Sequence, residues 1–224
     1  MGRNTRVARS VGVPGGALAV ELGEGGHVPI MPSVMQGLEP TLAQGWLRRF
    51  LVTFDFPKGR LVLEPTRARG EIPASSKELF VIPFTLPSPD VIMVQARING
   101  VEAQYHVDTG YSWTWMDPAF AKQAGLTLES EAVNRERGVS YPAQVGHAQV
   151  ATAQIGSVNV SPYLRSVFVM PSTDSHRAAG LHHWCFGDLG LTFLRKFAVT
   201  IDHVNQVLWL KPHKSPPPRS VVRA

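Results

Sequence analysis

Cysteine is almost missing from this chain of 224 residues, which contains only Cys185. A single cysteine excludes an internal disulfide framework and a zinc site built from several cysteines, so packing must stabilise the fold. Long hydrophobic runs are missing as well, because the longest, around residues 79–84, is far shorter than the roughly 20 residues that a membrane-spanning helix needs. We therefore expect a soluble chain with no membrane span.

A targeting signal is also hard to find in the sequence. The apolar stretch 11–20 is interrupted by Pro14, Gly15 and Gly16 and lacks a convincing cleavage site. The compartment is therefore open, and a periplasmic or secreted location would need a signal upstream of Met1.

Charge gives little support for a nucleic-acid partner, although the net charge is +5. Seven of the 22 basic residues lie near the two ends of the chain: Arg3, Arg6, Arg9, Lys211, Lys214, Arg219 and Arg223. The other 15 stand against 17 acidic residues, whereas a nucleic-acid site needs basic charge clustered on one folded face. The adjacent His182 and His183 have no third ligand at a useful spacing. We expect no nucleic-acid partner, no metal and no other cofactor.

An internal repeat organises the chain. Residues 46–65 align without a gap on residues 193–212, and nine aligned pairs are identical, among them Asp55 with Asp202. Each copy predicts a strand, a turn and a second strand that would close a domain. A first copy as long as the second would have to begin well before Met1, so we expect the first domain to be incomplete.

The repeat and the local composition predict four segments. Residues 1–65 are the remnant of a first lobe, and residues 66–77 are a polar linker that contains glycine and proline. Residues 78–212 form a second, complete lobe, and residues 213–224 form a basic, proline-rich tail.

The second lobe is expected to be mostly β-structure with two short helices. Strands are predicted at 79–86, 91–98, 101–107, 143–154, 159–160 and 164–170. The pair Asn99-Gly100 is typical of a tight type I′ hairpin. An N-terminal Asp117-Pro118 and a closing Gly125 predict a short helix between them. This number of short strands favours a small closed barrel.

The clearest chemical motif is Asp108-Thr109-Gly110, which follows the predicted strand after the hairpin. A tight turn at this point places a carboxylate beside a hydroxyl and an unhindered backbone N–H that can hydrogen-bond to its oxygens. Such a carboxylate can be kept ionised and directed at a water molecule. The same tripeptide also makes an ordinary turn, so its context decides.

That context resembles a retropepsin-like lobe of the pepsin and retropepsin superfamily of aspartic proteases. The resemblance covers residues 78–212: an Asn-Gly hairpin, a strand ending in Asp-Thr-Gly, a helix closing with Gly125-Leu126, a flap region, and Gly-x-Leu-Gly-x-x-Phe-Leu at residues 187–194. Residues 38–65 resemble only the end of a preceding lobe. The chain is thus similar to a bacterial-type tandem-lobe aspartyl protease that lacks most of its first lobe. The implied architecture is all-β, with a closed retropepsin-like barrel.

The resemblance implies peptide-bond hydrolysis by a water activated between two aspartates, one from each lobe. Asp108 is the implied catalytic residue of this lobe. The implied supporting residues of its loop are Thr109, Gly110 and Ser112. The residues implied to pack beneath the loop are Gly187, Leu189 and Gly190.

The chain departs from the family pattern at three places. Tyr111 stands where a small residue is usual, and Asp188 stands where an apolar residue is usual. The candidate flap, residues 134–144, contains Gly138 but no clear second glycine.

The second aspartate is not in this sequence, because no other Asp-Thr-Gly or Asp-Ser-Gly occurs. A symmetric homodimer or an upstream first lobe could supply it, and the other expected partner is a peptide or protein substrate. Without a second aspartate, the domain would be a catalytically inactive peptide-binding or dimerisation module. Both alternatives are open at this point.

Two further residue types, histidine and tryptophan, have two interpretations each. His106, two residues before Asp108, would either tune that carboxylate or simply pack. Trp113, Trp115 and Trp184 would line a cleft or belong to the core. We interpret Cys185 as a small buried hydrophobe because no base that could activate it is identifiable.

Overall fold

The computed structural model describes residues 6–11, 19–22, 26–29, 44–89, 91–131, 146–171 and 185–213. In chain order the strands are β1 (Arg6–Val11), β2 (Ala19–Leu22), β3 (Gly26–Pro29), β4 (Leu51–Asp55), β5 (Arg60–Glu64), β6 (Phe80–Pro83), β7 (Thr85–Ser88), β8 (Val91–Ile98), β9 (Val101–Val107), β10 (Trp115–Met116), β11 (Leu128–Glu131), β12 (Gly146–Gln149), β13 (Ala153–Ile155), β14 (Val158–Asn159), β15 (Ser166–Val169), β16 (Gly187–Leu189), β17 (Phe197–Asp202) and β18 (Val207–Pro212). The α-helices in this part of the chain are α1 (Gln44–Leu47), α2 (Pro118–Gln123) and α3 (Leu191–Leu194). The predicted all-β class is confirmed.

The chain divides into two compact units. Unit 1 comprises Met1–Val81 together with Arg195–Ala224, and unit 2 comprises Ile82–Leu194. The closing hairpin β17–β18 of the second repeat copy therefore lies in the same unit as the first copy. The predicted segments 1–65, 66–77, 78–212 and 213–224 stay a prediction.

Unit 1 is built on one sheet with the strand order β3-β2-β1-β5-β4-β17-β18-β6. The two repeat hairpins, β4–β5 and β17–β18, lie side by side at its centre. Val52 and Leu63 are completely buried beneath partly buried aromatic and leucine side chains of the same segment. The predicted strand–turn–strand structure of both copies is confirmed.

The two hairpins are related by a local twofold axis. In the antiparallel pairing of β4 with β17, Thr53 lies opposite Thr200, its own counterpart in the repeat. The pairs on either side are equivalent too, because Phe54 opposite Val199 matches Ile201 opposite Val52. The two threonine hydroxyls lie 2.7 Å apart and share a hydrogen bond across the axis.

The segment predicted as a linker has no helix or strand between residues 65 and 77, yet it is attached to the sheet. Asn205, in the turn between β17 and β18, accepts a hydrogen bond from the Gly70 N–H at 2.7 Å and donates one to the Ala68 carbonyl at 3.3 Å. The guanidinium of Arg67 lies 4.7 Å above the ring of Trp209. These contacts fix the path of the segment within unit 1.

Unit 2 is a ten-stranded sheet with the order β11-β12-β15-β10-β16-β9-β8-β13-β14 and with β7 paired to β8. Its longest pairing is the β8–β9 hairpin, in which Asn99 and Gly100 have φ angles of +47° and +85°. Positive φ at both positions is what a type I′ turn requires, so the predicted hairpin is confirmed. Tyr105, Trp115 and Met116 are among its fully buried side chains.

The helix predicted from its end signals is α2. The Asp117 side chain accepts a hydrogen bond from the Ala119 N–H at 2.8 Å, which caps the first turn. Pro118 occupies the first helical position, and Gly125 adopts a left-handed φ of +66° just past the end. The second predicted helix is α3, which follows β16 directly.

Two predicted strands are each divided in the structure. In place of the predicted strand 79–86 the structure has β6 and β7, because the chain leaves the unit 1 sheet and joins the unit 2 sheet between them. Residues 146–155 form β12 and β13, because the N–H groups of Ala151 and Thr152 donate to the side-chain oxygen of Asn99 instead of to a strand. The predicted flap 134–144, His182, His183, Trp184 and the tail beyond His213 lie outside the described residues.

Candidate active site

The Asp-Thr-Gly turn lies at the end of β9, a strand that pairs with β8 on one side and β16 on the other. The parallel pairing with β16 continues into the turn, because the Asp108 N–H donates to the Leu189 carbonyl at 3.3 Å. The Gly110 N–H then donates to the carboxylate of Asp108 at 2.7 Å. Asp108 and Thr109 are half-buried and Gly110 is exposed. The Asp108 carboxylate, fixed by the hydrogen bond from Gly110, therefore lies at the surface of unit 2.

Backbone contacts require glycine beneath this loop. A Cβ atom on Gly187 would overlap the Trp115 carbonyl oxygen, and one on Gly190 would overlap the Trp113 carbonyl oxygen. Leu189, between them, is 2% exposed and belongs to the core. The backbone at Trp113 and Trp115 comes so close to positions 187 and 190 that only glycine fits at each. This accounts for both glycines of the Gly-x-Leu-Gly motif.

Hydrogen bonds join the loop after Asp108 to the start of α3. The carbonyls of Tyr111 and Ser112 accept from the N–H groups of Leu191 and Thr192 at 2.8 and 3.1 Å. The Thr192 hydroxyl in turn accepts from the Thr114 N–H at 2.7 Å. The side chain of Ser112 is exposed, so its main-chain carbonyl carries this contact.

Aromatic side chains surround the loop in different ways. Trp115 is 1% exposed and belongs to the core. Trp113 is half-buried and packs on Phe168 and His147 at ring-centroid distances of 5.9 and 5.6 Å. The Tyr111 hydroxyl lies 3.3 Å from the sulfur of Met170. Tyr111, which stands where a small residue is usual, thus lies against Met170, the residue that follows β15.

A buried polar pair lies directly behind the Asp-Thr-Gly turn. Asp188 is 0% exposed, and its two carboxylate oxygens lie 2.7 Å from Trp115 Nε1 and 3.2 Å from His106 Nδ1. His106 and Asp188 are opposite each other in the β9–β16 ladder. The sequence signal for this pair was Asp188 in a normally apolar position, but the sequence did not show that it faces His106.

Cys185 and Tyr105 are buried near the same carboxylate. Burial raises the pKa of the Cys185 thiol to about 11, and its sulfur lies 3.2 Å from the Gly187 carbonyl oxygen. Burial, then Cys185 and Asp188, raise the pKa of Tyr105 well above its ordinary value. Both groups are therefore neutral at physiological pH, which fits the interpretation of Cys185 as a small buried hydrophobe.

The donor atoms of His106, Asp108 and Asp188 lie within 4.8 Å of one another, close enough in principle to share a cation. Hydrogen bonds already account for their arrangement, because Trp115 and His106 engage Asp188 while Gly110 engages Asp108. The three side chains therefore form a polar cluster in which each carboxylate already has a hydrogen-bond donor within the chain.

Comparison with known proteins agrees with this geometry. Residues 94–181, which include the Asp-Thr-Gly turn, match the family model described as aspartyl protease. This part of the chain is therefore similar to aspartyl proteases. A search of curated protein sequences finds no match.

Solved structures of aspartic proteases are similar to this chain at low sequence identity. A retropepsin-like aspartic protease from Rickettsia conorii matches with 19% identity and a TM-score of 0.41, covering 63% of this chain and 97% of that one. The aspartic proteinase from Irpex lacteus matches with 14% identity and a TM-score of 0.44, covering 94% and 82%. The retroviral protease-like domain of Ddi1 from Leishmania major matches with 15% identity and a TM-score of 0.36, covering 56% and 98%.

Within the described ranges, no helix is both long enough and apolar enough to cross a bilayer.

Proposed function

We propose that this chain acts as an aspartic endopeptidase, in which a water activated between two aspartates attacks the peptide bond and Asp108 supplies one of them. The observation that carries the proposal is the half-buried Asp108 carboxylate, held by the Gly110 N–H in an Asp-Thr-Gly turn within an aspartyl protease family match. Thr109, Gly110 and Ser112 form the supporting loop, and Gly187, Leu189 and Gly190 support it from below.

The chemistry needs a second carboxylate about 3 Å from the first, so that the two share one proton and act as base and acid in turn. Asp188 is close to Asp108 but does not fit this role. It is 0% exposed and both of its oxygens are engaged, so no substrate water can reach it. We propose that the second aspartate comes from another lobe, either in a second copy of this chain or in an upstream lobe.

A concentration series of peptide cleavage tests the proposal. We expect cleavage at acidic pH whose rate per molecule rises with protein concentration if two copies form the site. Asp108→Asn should abolish it. Asp117→Asn is the matched control, because asparagine caps α2 as well as aspartate does and the variant should keep full activity.

Mixing the wild-type chain with the Asp108→Asn variant separates the two sources of the second aspartate. If two copies form the site, mixed dimers carry one aspartate, and activity should fall below that of the wild-type chain at the same concentration. Activity found only when an upstream lobe is added would assign the second aspartate to that lobe. No cleavage in either format would contradict the proposal and favour a peptide-binding or dimerisation module.

A further inference from the structure

The strands of the two repeat hairpins in unit 1 have a neighbour on each side. β17 lies between β4 and β18, and β4 lies between β17 and β5. The outer strands are flanked in the same way, because β5 also pairs with β1 and β18 also pairs with β6. A strand forms ladder hydrogen bonds at its two edges alone, so both hairpins are already fully paired within the sheet.

The pairing between the hairpins is the one expected between two equivalent lobes. Thr53 and Thr200 are counterparts in the repeat, lie opposite each other and have hydroxyls 2.7 Å apart. A twofold interface between two molecules has the same property, because a residue on the axis meets its own counterpart. Here both counterparts belong to one chain. The first repeat copy thus occupies the place that the closing hairpin of a second molecule would take in a homodimer built on this pairing.

The connection along the chain favours this internal pairing over pairing with a second molecule. Residues 65–79 join β5 to β6, the neighbour of β18 in the sheet. The segment is held there by the hydrogen bond from Gly70 to Asn205 and by the contact of Arg67 with Trp209. A short connection gives an effective concentration on the order of millimolar, so a second copy at micromolar concentration is outcompeted by about a thousandfold.

We propose that the β4–β5 hairpin closes the pairing surface of the Asp-Thr-Gly lobe within the chain, so that the second aspartate comes from an upstream lobe joined to this hairpin and not from a second copy. The occupied strand edge stands on the pairing alone, and its consequence for the second aspartate rests on the proposed function. In the repeat, the second hairpin closes the segment that contains Asp108. The partner is accordingly a lobe of the same kind, which ends in the first hairpin and carries its own aspartate turn.

Cysteine cross-links distinguish the two arrangements without any need for cleavage. In the double variant Thr53→Cys with Thr200→Cys, the two thiols lie opposite each other in one chain, so oxidation in a glutathione buffer should form a disulfide within that chain. In Thr200→Cys alone, a homodimer paired along β17 would place each thiol opposite its own copy and join two chains. We expect the double variant to lose both introduced thiols at the mass of one chain, and the single variant to stay unlinked.

Mass spectrometry and non-reducing gel electrophoresis give the result. The double variant also controls for access of the oxidant to position 200, and the native Cys185 is buried. The pair Val52→Cys with Ile201→Cys is the second cross-link, because neighbouring pairs of an antiparallel ladder alternate in spacing and one of the two suits a disulfide. A covalent dimer of Thr200→Cys, or the lack of an intrachain link in both pairs, overturns the proposal.

Sedimentation equilibrium of the wild-type chain keeps the test decisive if a cysteine variant does not fold. We expect a mass of 24.5 kDa throughout the concentration range of the cleavage assay, and a reversible dimer of twice that mass overturns the proposal. Cleavage by this chain whose rate per molecule rises with concentration would support the proposed function and overturn this inference. Intrachain links together with no cleavage when an upstream lobe is present would support this inference and refute only the proposed function.

Discussion

The hydrogen bond between Thr53 and Thr200 permits a quantitative test of the local twofold axis in unit 1. The change is threonine to valine at each position, separately and together, which removes the hydroxyl but keeps the branched shape that suits a strand. The two hydroxyls share a 2.7 Å contact, and Thr200 is 8% exposed while Thr53 is only half-buried.

The expected magnitudes follow from what each change leaves behind. Thr53→Val strands the buried Thr200 hydroxyl, which should lower the free energy of unfolding by about 1–2 kcal/mol. Thr200→Val strands the half-buried Thr53 hydroxyl, which water can reach, so the loss should be about 0.5–1 kcal/mol. The double variant leaves two valines packed together and should lose less than the sum, with a coupling of about 1 kcal/mol.

Urea unfolding of the four proteins, followed by tryptophan fluorescence, measures this cycle. Thr85→Val, at an exposed position of β7, is the control and should change stability by less than about 0.5 kcal/mol. If the two single losses simply add in the double variant, the hydroxyls do not interact, and the register that places Thr53 opposite Thr200 is refuted.

Three other predictions follow from contacts described above. Gly187→Ala should destabilise unit 2 severely or prevent folding, because the new Cβ would overlap the Trp115 carbonyl. Gly45→Ala in α1 is the control: a Cβ at Gly45 meets open space, so this variant should leave the temperature of the thermal melt unchanged. Cys185 should not react with a thiol reagent at pH 7 until the protein unfolds, because burial raises its pKa to about 11; rapid labelling of the native protein would contradict this. Burial raises the pKa of Asp55, but the hydrogen bond from Arg60 and the charges of Lys58 and Arg60 outweigh it and leave that pKa below 3.8. Its stabilising contribution is therefore present above that value and is lost as the pH falls through the lower pKa of the folded state, so Asp55→Asn should flatten the acid dependence of the urea midpoint below about pH 4, and an unchanged slope would refute the assignment.

Local signals in the sequence were sufficient where a few adjacent residues decide the conformation. Asn99-Gly100 tolerates the left-handed backbone of a type I′ turn, and Asp117 and Gly125 provide the two end signals of α2. The Asp-Thr-Gly turn was identifiable from its residues, and the glycines beneath it were identifiable from the resemblance to aspartic proteases. The strand limits were less predictable because hydrogen-bond partners such as the Asn99 side chain come from distant residues.

The sequence by itself therefore determined the β-rich class, the repeat, the Asp-Thr-Gly turn and the chemistry that this turn suggests, because short-range backbone preferences and residue types carry that information. Only the tertiary structure decided that the two repeat hairpins pair across Thr53 and Thr200, since register between strands 147 residues apart depends on packing of the whole sheet. It likewise decided that the unusual Asp188 faces His106 behind Asp108. Residues 82 positions apart become partners only when β9 and β16 lie side by side, because a buried charge selects its partner in space and not along the chain.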